Sequence, residues 1–293
     1  MLHYQLSSFT MQTAGFVGYV DVAKEKRKEI FVRIAFFDSG IGGLTVLKEA
    51  LSVMPNAEYI YYADTKNVPY GVKSKNDVRK FIIAAIDFLS EKDIQVLVVA
   101  CNTATSVVIN NLRNKFDFPI LGMEPAIKPA IIKNSGKKIL VSATSLTLKE
   151  NKLETLITKL DTNQRIEKME MDSLVTFAEK FDFNSTNVQL YLQAKLTHVK
   201  YEEFETIVLG CTHFLYYKRQ IQEITGNKIE IIDGTKGTVN NLVNTIRTNQ
   251  LKNNYKEKNI KFYSSGVEDN MNRVKKLLEL INGKQESELL PCG

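Results

Sequence analysis

The segment IQVLVVACNTATS, residues 94–106, is an apolar run of strand length that ends in a cysteine followed by hydroxyl-bearing residues. A second segment, FETIVLGCTHFL at 204–215, repeats this order, and a candidate helix follows each of the two. An unbroken apolar run is typical of a strand buried on both faces, as the strands of parallel sheets are. We therefore expect Cys101 and Cys211 to lie at the carboxyl ends of two parallel strands.

Strand-length apolar runs alternate with helix-length amphipathic segments along most of the chain. The predicted strands are 34–37, 58–62, 95–100, 138–142, 166–169, 206–209, 229–232 and 261–263. The predicted helices are 44–53, 78–90, 105–115, 148–159, 188–195, 217–224, 239–248 and 270–280. This alternation is typical of a mainly parallel sheet with helices on both faces, and two such units in tandem predict an α/β protein.

The expected architecture is two pseudo-symmetric α/β domains with mainly parallel sheets and an active site in the cleft between them. The first domain is predicted to take residues 34–125 plus 236–293, and the second residues 126–235. Residues 1–33 precede the first strand and show no clear period, so we interpret them as an N-terminal extension. Ligands of such folds bind outside the carboxyl ends of the strands, where both cysteines are expected.

Composition narrows the classes of partner. The 293 residues carry a net charge of +6, but the basic residues are spread along the chain, so we expect no nucleic-acid partner. No apolar stretch reaches the roughly 18 residues of a membrane span, and the N-terminus lacks the basic start of a signal peptide. The expected location is the cytoplasm, with no membrane partner.

Three roles other than catalysis are open to the two cysteines. Either could be a small buried apolar residue, but equivalent positions followed by polar residues argue against this for the pair. A zinc site built from both thiols with His213 and Asp38 would lack the C-x-x-C spacing of structural zinc. A redox pair would need thiols of different domains to reach disulfide distance. We therefore favour two reactive thiols and no metal.

The helix that follows each cysteine has a predicted effect on the thiol. A sulfur beside the free amides of a helix start is expected to have a lowered pKa. Thr103 or Thr105 is the expected cap of the helix that follows Cys101.

Two loops are expected at the same edge of the first sheet. The loop DSGIGG, 38–43, lacks the lysine of a phosphate loop, but its glycines would let the backbone approach a small carboxylate. Asp38 begins this loop and would face the cleft together with Cys101. The loop DTKNVPYG, 64–71, contains proline and glycine as turn residues and is a candidate wall or lid of the substrate site.

Taken together, these segments resemble glutamate racemase, within the wider aspartate/glutamate racemase superfamily. The resemblance covers about residues 34–280 in the family's order. The PYG loop and the CTHF motif point to the glutamate branch. The matching segments are FFDSGIGGLTV (36–46), YYADTKNVPYG (61–71), VVACNTATS (98–106), GMEPAIKPA (122–130) and VLGCTHF (208–214), with weaker agreement at SATSLT (142–147) and SSGVED (264–269).

The resemblance implies roles for individual residues. Cys101 and Cys211 match the two catalytic cysteines, with Asp38 assisting the first and His213 the second. Glu179 is the best match for an acidic residue that precedes the second cysteine. The implied substrate-binding residues are Asp38, Ser39, Pro69, Tyr70, Gly71, Asn102, Thr103, Thr144, Thr147, Thr212 and His213.

A racemase of this kind removes the α-proton on one face of an amino acid and returns a proton on the other, so two bases must flank the carbon. The resemblance implies glutamate as substrate, no cofactor, a homodimer, and supply of D-glutamate for peptidoglycan. By family analogy, Cys101 would serve D-glutamate and Cys211 L-glutamate. An aspartate racemase, a related isomerase or decarboxylase, and a non-catalytic dicarboxylic amino-acid-binding protein remain open alternatives.

Overall fold

The fold was obtained as a computed structural model. It describes residues 32–161, 164–197, 199–226, 229–251, 259–266, 276, 279, 280 and 282. The predicted N-terminal extension, apart from its last two residues, and most of the predicted helix 270–280 lie outside the described residues.

Nine described strands form two sheets in which every neighbouring pair is parallel. The first sheet has the order β4-β3-β1-β2-β9 and the second the order β6-β5-β7-β8. These strands are β1 (Arg33–Asp38), β2 (Glu58–Ala63), β3 (Val96–Val99), β4 (Ile120–Gly122), β5 (Lys138–Ala143), β6 (Ile166–Glu170), β7 (Phe204–Leu209), β8 (Glu230–Asp233) and β9 (Asn259–Ser264).

Helices connect these strands and cover the sheets. The α-helices are α1 (Leu44–Val53), α2 (Lys75–Ser90), α3 (Asn102–Lys115), α4 (Ile127–Lys133), α5 (Ser145–Lys149), α6 (Asn151–Leu160), α7 (Ser173–Glu179), α8 (Thr186–Leu196), α9 (Lys218–Thr225) and α10 (Thr235–Thr248). Short 3-10 helices lie at Tyr201–Glu203 and Thr212–Tyr217. The predicted fold class, α/β with two mainly parallel sheets, is confirmed, and the exact domain boundaries stay a prediction.

Strand β2 shows why the first sheet is covered on both faces. Successive side chains of a strand point to opposite faces. Tyr59 and Tyr61 enter one apolar cluster, whereas Ile60 and Tyr62 enter another. The cluster that holds Tyr59 also contains Leu140 of β5 and Leu209 of β7, so the two sheets share one core.

The structure differs from the sequence-based expectation at several elements. The predicted helix 148–159 is two helices, because Glu150 has an extended backbone between α5 and α6. Strand β6 is an edge strand with exposed Glu167 and Lys168, so it is not buried on both faces. Strand β4 and helices α4 and α7 were not predicted, since elements of three to seven residues are too short to show a period.

None of the described helices combines the length and the apolar character needed to span a bilayer.

Helix α1 provides a test of the shared core. Leu47 is fully buried, so Leu47→Ala should lower the free energy of unfolding by about 2–5 kcal/mol, through lost burial and the cavity left behind. The matched control is Leu190→Ala on α8, where the side chain is 58% exposed and the expected change is within about 0.5 kcal/mol. Urea unfolding followed by circular dichroism measures both, and equal losses would contradict this packing.

Candidate active site

The two cysteines lie just beyond the carboxyl ends of strands in different sheets. Cys101 follows β3 and Cys211 follows β7, and both are buried, free thiols. Cys101 has an extended backbone, and its sulfur accepts the N–H of Ala104 at 3.4 Å, so the cysteine itself caps α3. The prediction that Thr103 or Thr105 caps this helix is therefore wrong. The placement of both thiols at strand ends is as expected.

The environment of Cys101 keeps its thiol protonated. Burial raises the pKa of Cys101 well above its ordinary value, and the negative charge of Asp38 raises it further. The Ala104 N–H and the Ser39 hydroxyl, whose oxygen lies 3.7 Å from the sulfur, lower the pKa by less. The expectation of a lowered pKa is wrong for this thiol, because desolvation outweighs the helix start.

The environment of Cys211 is a chain of three side chains. The Nδ1 atom of His213 lies 3.9 Å from the Cys211 sulfur, and Nε2 lies 2.7 Å from Glu179 Oε1. Burial alone would lower the pKa of His213, but the contacts with Cys211 and Glu179, together with the charge of Asp38, raise it well above the ordinary value. His213 thus connects the Cys211 sulfur with the Glu179 carboxylate through its two ring nitrogens, which is the arrangement of an acid/base group held beside a thiol.

Asp38 lies between the two thiol environments. Its carboxylate is fully buried and accepts the Gly40 N–H at 2.8 Å and the Thr212 hydroxyl at 3.1 Å. Burial raises the pKa of Asp38, while the charge of His213 and the Gly40 N–H oppose that rise. The sequence assigned Asp38 to Cys101 alone, whereas its hydrogen bond to Thr212 reaches the residue beside the other thiol.

Glu179 joins α7 to the glycine-containing loop after β1. Its Oε1 atom accepts the Ile41 N–H at 2.6 Å as well as contacting His213. A Cβ atom at Gly40 would lie 1.7 Å from that oxygen, and one at Gly42 would lie 2.4 Å from the Thr212 hydroxyl oxygen. The glycines thus allow the carboxylate of Glu179 to approach the backbone, whereas the expected approach of a small carboxylate ligand stays a prediction.

Three threonines meet where the two halves of the chain face each other. The hydroxyl oxygens of Thr103, Thr144 and Thr147 lie 2.9–3.0 Å from one another. All three side chains are buried. Asn102 is next to this group; its amide donates to the Met123 carbonyl at 3.2 Å, and its Oδ1 atom is buried without a hydrogen-bond partner in the described part of the chain.

The 64–71 loop approaches the same region. Pro69 follows a cis peptide bond, and the Gly71 carbonyl accepts the Leu146 N–H at 3.1 Å from the other half of the chain. Tyr70 is buried, and its hydroxyl donates to Asp64. The loop is therefore tied to helix α5 through Gly71, while the Tyr70 hydroxyl is engaged within the loop.

Two tyrosines that the sequence did not suggest hold the glycine-containing loop. Tyr61 donates to the Gly40 carbonyl at 2.7 Å, and Tyr216 donates to the Ile41 carbonyl at 2.8 Å. Tyr61 lies inside the quoted segment 61–71, and Tyr216 directly follows the quoted segment 204–215. A tyrosine in an apolar run is typical of the core, so neither was predicted as a site residue. Across the described ranges, no group of three His, Cys, Asp or Glu side chains is arranged to hold a metal ion.

Comparison with known proteins bears on this geometry. The family model for Asp/Glu/Hydantoin racemase matches residues 45–242, which is more than half of the chain. The chain belongs to this racemase family. The resemblance inferred from the motifs is confirmed, and the protein is an enzyme of the racemase class.

Relatives and solved structures within this racemase family are similar over most of the chain. Glutamate racemase from Halothermothrix orenii is 47% identical, over 85% of this chain and 99% of its own length. Glutamate racemase 2 from Bacillus subtilis is 43% identical, over 88% and 99%. The crystal structure of Francisella tularensis glutamate racemase in complex with D-glutamate has a TM-score of 0.74 at 25% identity, covering 86% of this chain and 94% of that one.

The close approach at Gly40 predicts a sharp effect of one methyl group. Gly40→Ala should displace Glu179 from Ile41 and His213, and racemase activity should fall about 100-fold, the lower end of what a positioned acid/base group contributes. The matched control is Gly237→Ala in α10, where a Cβ atom would meet nothing within 4 Å. Initial rates are measured for both folded variants. Equal activity in the two would contradict the role given to this contact.

Proposed function

We propose that this racemase interconverts L- and D-glutamate without a cofactor, with Cys101 and Cys211 as the two acid/base groups. The observation that carries the proposal is the pair of buried, free thiols at the carboxyl ends of β3 and β7, each with its own polar partners. Its substrate rests on the relatives named glutamate racemase and on the structure that holds D-glutamate.

The two thiols are suited to opposite starting states. Racemisation needs a base on one face of the α-carbon and an acid on the other. In this mechanism His213, held by Glu179, already carries the proton that Cys211 has lost, and the resulting Cys211 thiolate removes the α-proton. Cys101, kept protonated by burial and by Asp38, donates a proton to the opposite face. The reverse direction exchanges these roles, and by family analogy Cys211 acts on L-glutamate and Cys101 on D-glutamate.

The polar groups around the thiols are suited to the substrate's charges. Removing the α-proton places negative charge on the α-carboxylate, so donors there lower the barrier. We assign this role to hydroxyl groups and to N–H groups at the start of α3, while Asn102 Oδ1 accepts from the substrate ammonium group. The hydroxyl residues are Ser39, Thr103, Thr144, Thr147 and Thr212, and the backbone of Pro69, Tyr70 and Gly71 forms the adjoining wall.

The location, oligomeric state, biological role and domain boundaries belong to the same proposal. We expect a cytoplasmic homodimer that supplies D-glutamate for bacterial peptidoglycan, and we expect no metal. The domains run through residues 34–125 plus 236–293 and residues 126–235, with the catalytic groups facing the cleft between them. The bacterial sources of the relatives support this setting.

The two-thiol mechanism predicts the behaviour of single variants. Cys101→Ala and Cys211→Ala should each lose racemisation of both enantiomers by about 100- to 10,000-fold, since one base returns the proton only to the face it came from. The assay follows optical rotation and solvent deuterium at the α-carbon. The control is Cys292→Ala, the third cysteine of the sequence, which should keep full activity. Activity within tenfold of the unaltered enzyme in either active-site variant would refute the mechanism.

The substrate is tested separately. Circular dichroism should show D-glutamate racemised with kcat/KM about 10- to 200-fold above that of D-aspartate, the range that one methylene group supports. Faster turnover of aspartate would assign the enzyme to aspartate instead. Tight binding of glutamate with no turnover would favour the binding-protein alternative.

A further inference from the structure

We propose that Asp64 is a positioning residue, which fixes the 64–71 loop against Cys101 through Tyr70 and anchors it to the end of β9 through Ser265. The inference deepens the proposed function and rests on it. Asp64 contacts neither thiol in the described structure, so it acts through the loop rather than on the α-proton.

The carboxylate of Asp64 is the centre of the loop's hydrogen bonds. It is 2% exposed and accepts three side-chain donors. The Asn67 amide reaches both oxygens, at 2.9 and 3.1 Å, and the Tyr70 hydroxyl donates to Oδ2. The Ser265 hydroxyl donates to Oδ1 at 2.5 Å. A buried carboxylate with this many donors fixes the residues that donate to it.

The anchor on the other side is the end of strand β9. The Ser265 oxygen also accepts the Lys66 N–H at 3.1 Å, and its own N–H donates to the Ala63 carbonyl at 3.2 Å. Thr65 and Ser264 join their hydroxyl groups beside it. Ser265 thus ties the start of the loop to the end of strand β9, which comes from a distant part of the chain.

The loop carries this constraint to the thiol. The ring of Tyr70 belongs to the same buried cluster as Cys101. Burial, followed by the charge of Asp64, raises the pKa of Tyr70, so the phenol stays a neutral donor to Asp64. One residue later, the Gly71 carbonyl accepts the Leu146 N–H, between the threonines at 144 and 147. Releasing Tyr70 would therefore loosen the wall on which the substrate is proposed to rest.

The test is a double-mutant cycle. Asp64→Asn replaces an acceptor oxygen with a donor of the same shape, and KM for glutamate should rise about 10-fold, the effect of losing a hydrogen bond to a charged group, with a smaller fall in kcat. Tyr70→Phe should raise KM as well. The double variant should be no worse than Asp64→Asn alone, because both remove the same link. Additive effects, or KM and kcat within twofold for Asp64→Asn, would overturn the proposal.

The matched control is Asp161→Asn. Asp161 is also a buried carboxylate and accepts the Ile166 N–H at 2.7 Å, but it lies at the amino end of β6, away from the site. We expect it to lower stability and leave KM and kcat unchanged. A rise in KM equal to that of Asp64→Asn would mean general destabilisation and would overturn the proposal. If Asp64→Asn does not fold, Ser265→Ala replaces it, and an unchanged KM there refutes the anchor.

A second readout separates this proposal from the proposed function. Alkylation of Cys101 by iodoacetamide, followed by mass spectrometry of its peptide, should be about 10-fold faster in Asp64→Asn, because release of Tyr70 would loosen the buried cluster that it shares with Cys101. This measurement needs no substrate. An unaltered protein that fails to racemise glutamate refutes the proposed function, whereas an unchanged alkylation rate refutes the role of Asp64.

Discussion

The carboxylate of Glu179 binds both the loop after β1 and the imidazole of His213. It accepts the Ile41 N–H at 2.6 Å and lies 2.7 Å from His213 Nε2. The loop belongs to the first sheet and the imidazole to the second, so this contact sets how closely the two thiol environments approach. Glycine at positions 40 and 42 follows from that distance, since a side chain at either would overlap Glu179 or Thr212.

Burial then decides the protonation of the site. Burial away from water disfavours charge, and it raises the pKa of Asp38 and of Cys101. His213 is the exception, because its contacts with Cys211 and Glu179 outweigh desolvation. Among these three groups, His213 is the one that carries a positive charge. That charge lies beside Cys211, so the two thiols are unlike each other before any substrate binds.

The sequence predicted those features that leave a pattern in neighbouring residues. An apolar run that ends in a cysteine placed both thiols at strand ends, and the order of motifs predicted the family. Contacts between distant segments left no local pattern: Asp64 and Ser265 are 201 positions apart, and Glu179 ends a helix of seven residues. The pKa of Cys101 was predicted in the wrong direction because a helix start is visible in a sequence, whereas complete desolvation is not.

The difference between the two thiols cannot change the equilibrium constant of the reaction. L- and D-glutamate have equal free energies in water, so their equilibrium constant is one, and kcat/KM must be equal in the two directions. Whatever His213 adds for Cys211 therefore cannot favour one direction overall. It appears instead in kcat and KM separately, and in the cost of returning the enzyme to its starting protonation state. In the proposed two-thiol mechanism, that return requires a proton to leave one thiol and reach the other. Asp38 is fully buried, has a raised pKa and is hydrogen-bonded to Thr212 beside Cys211. One carboxylate is thus linked to both thiol environments, through a hydrogen bond on the side of Cys211 and through its charge on the side of Cys101.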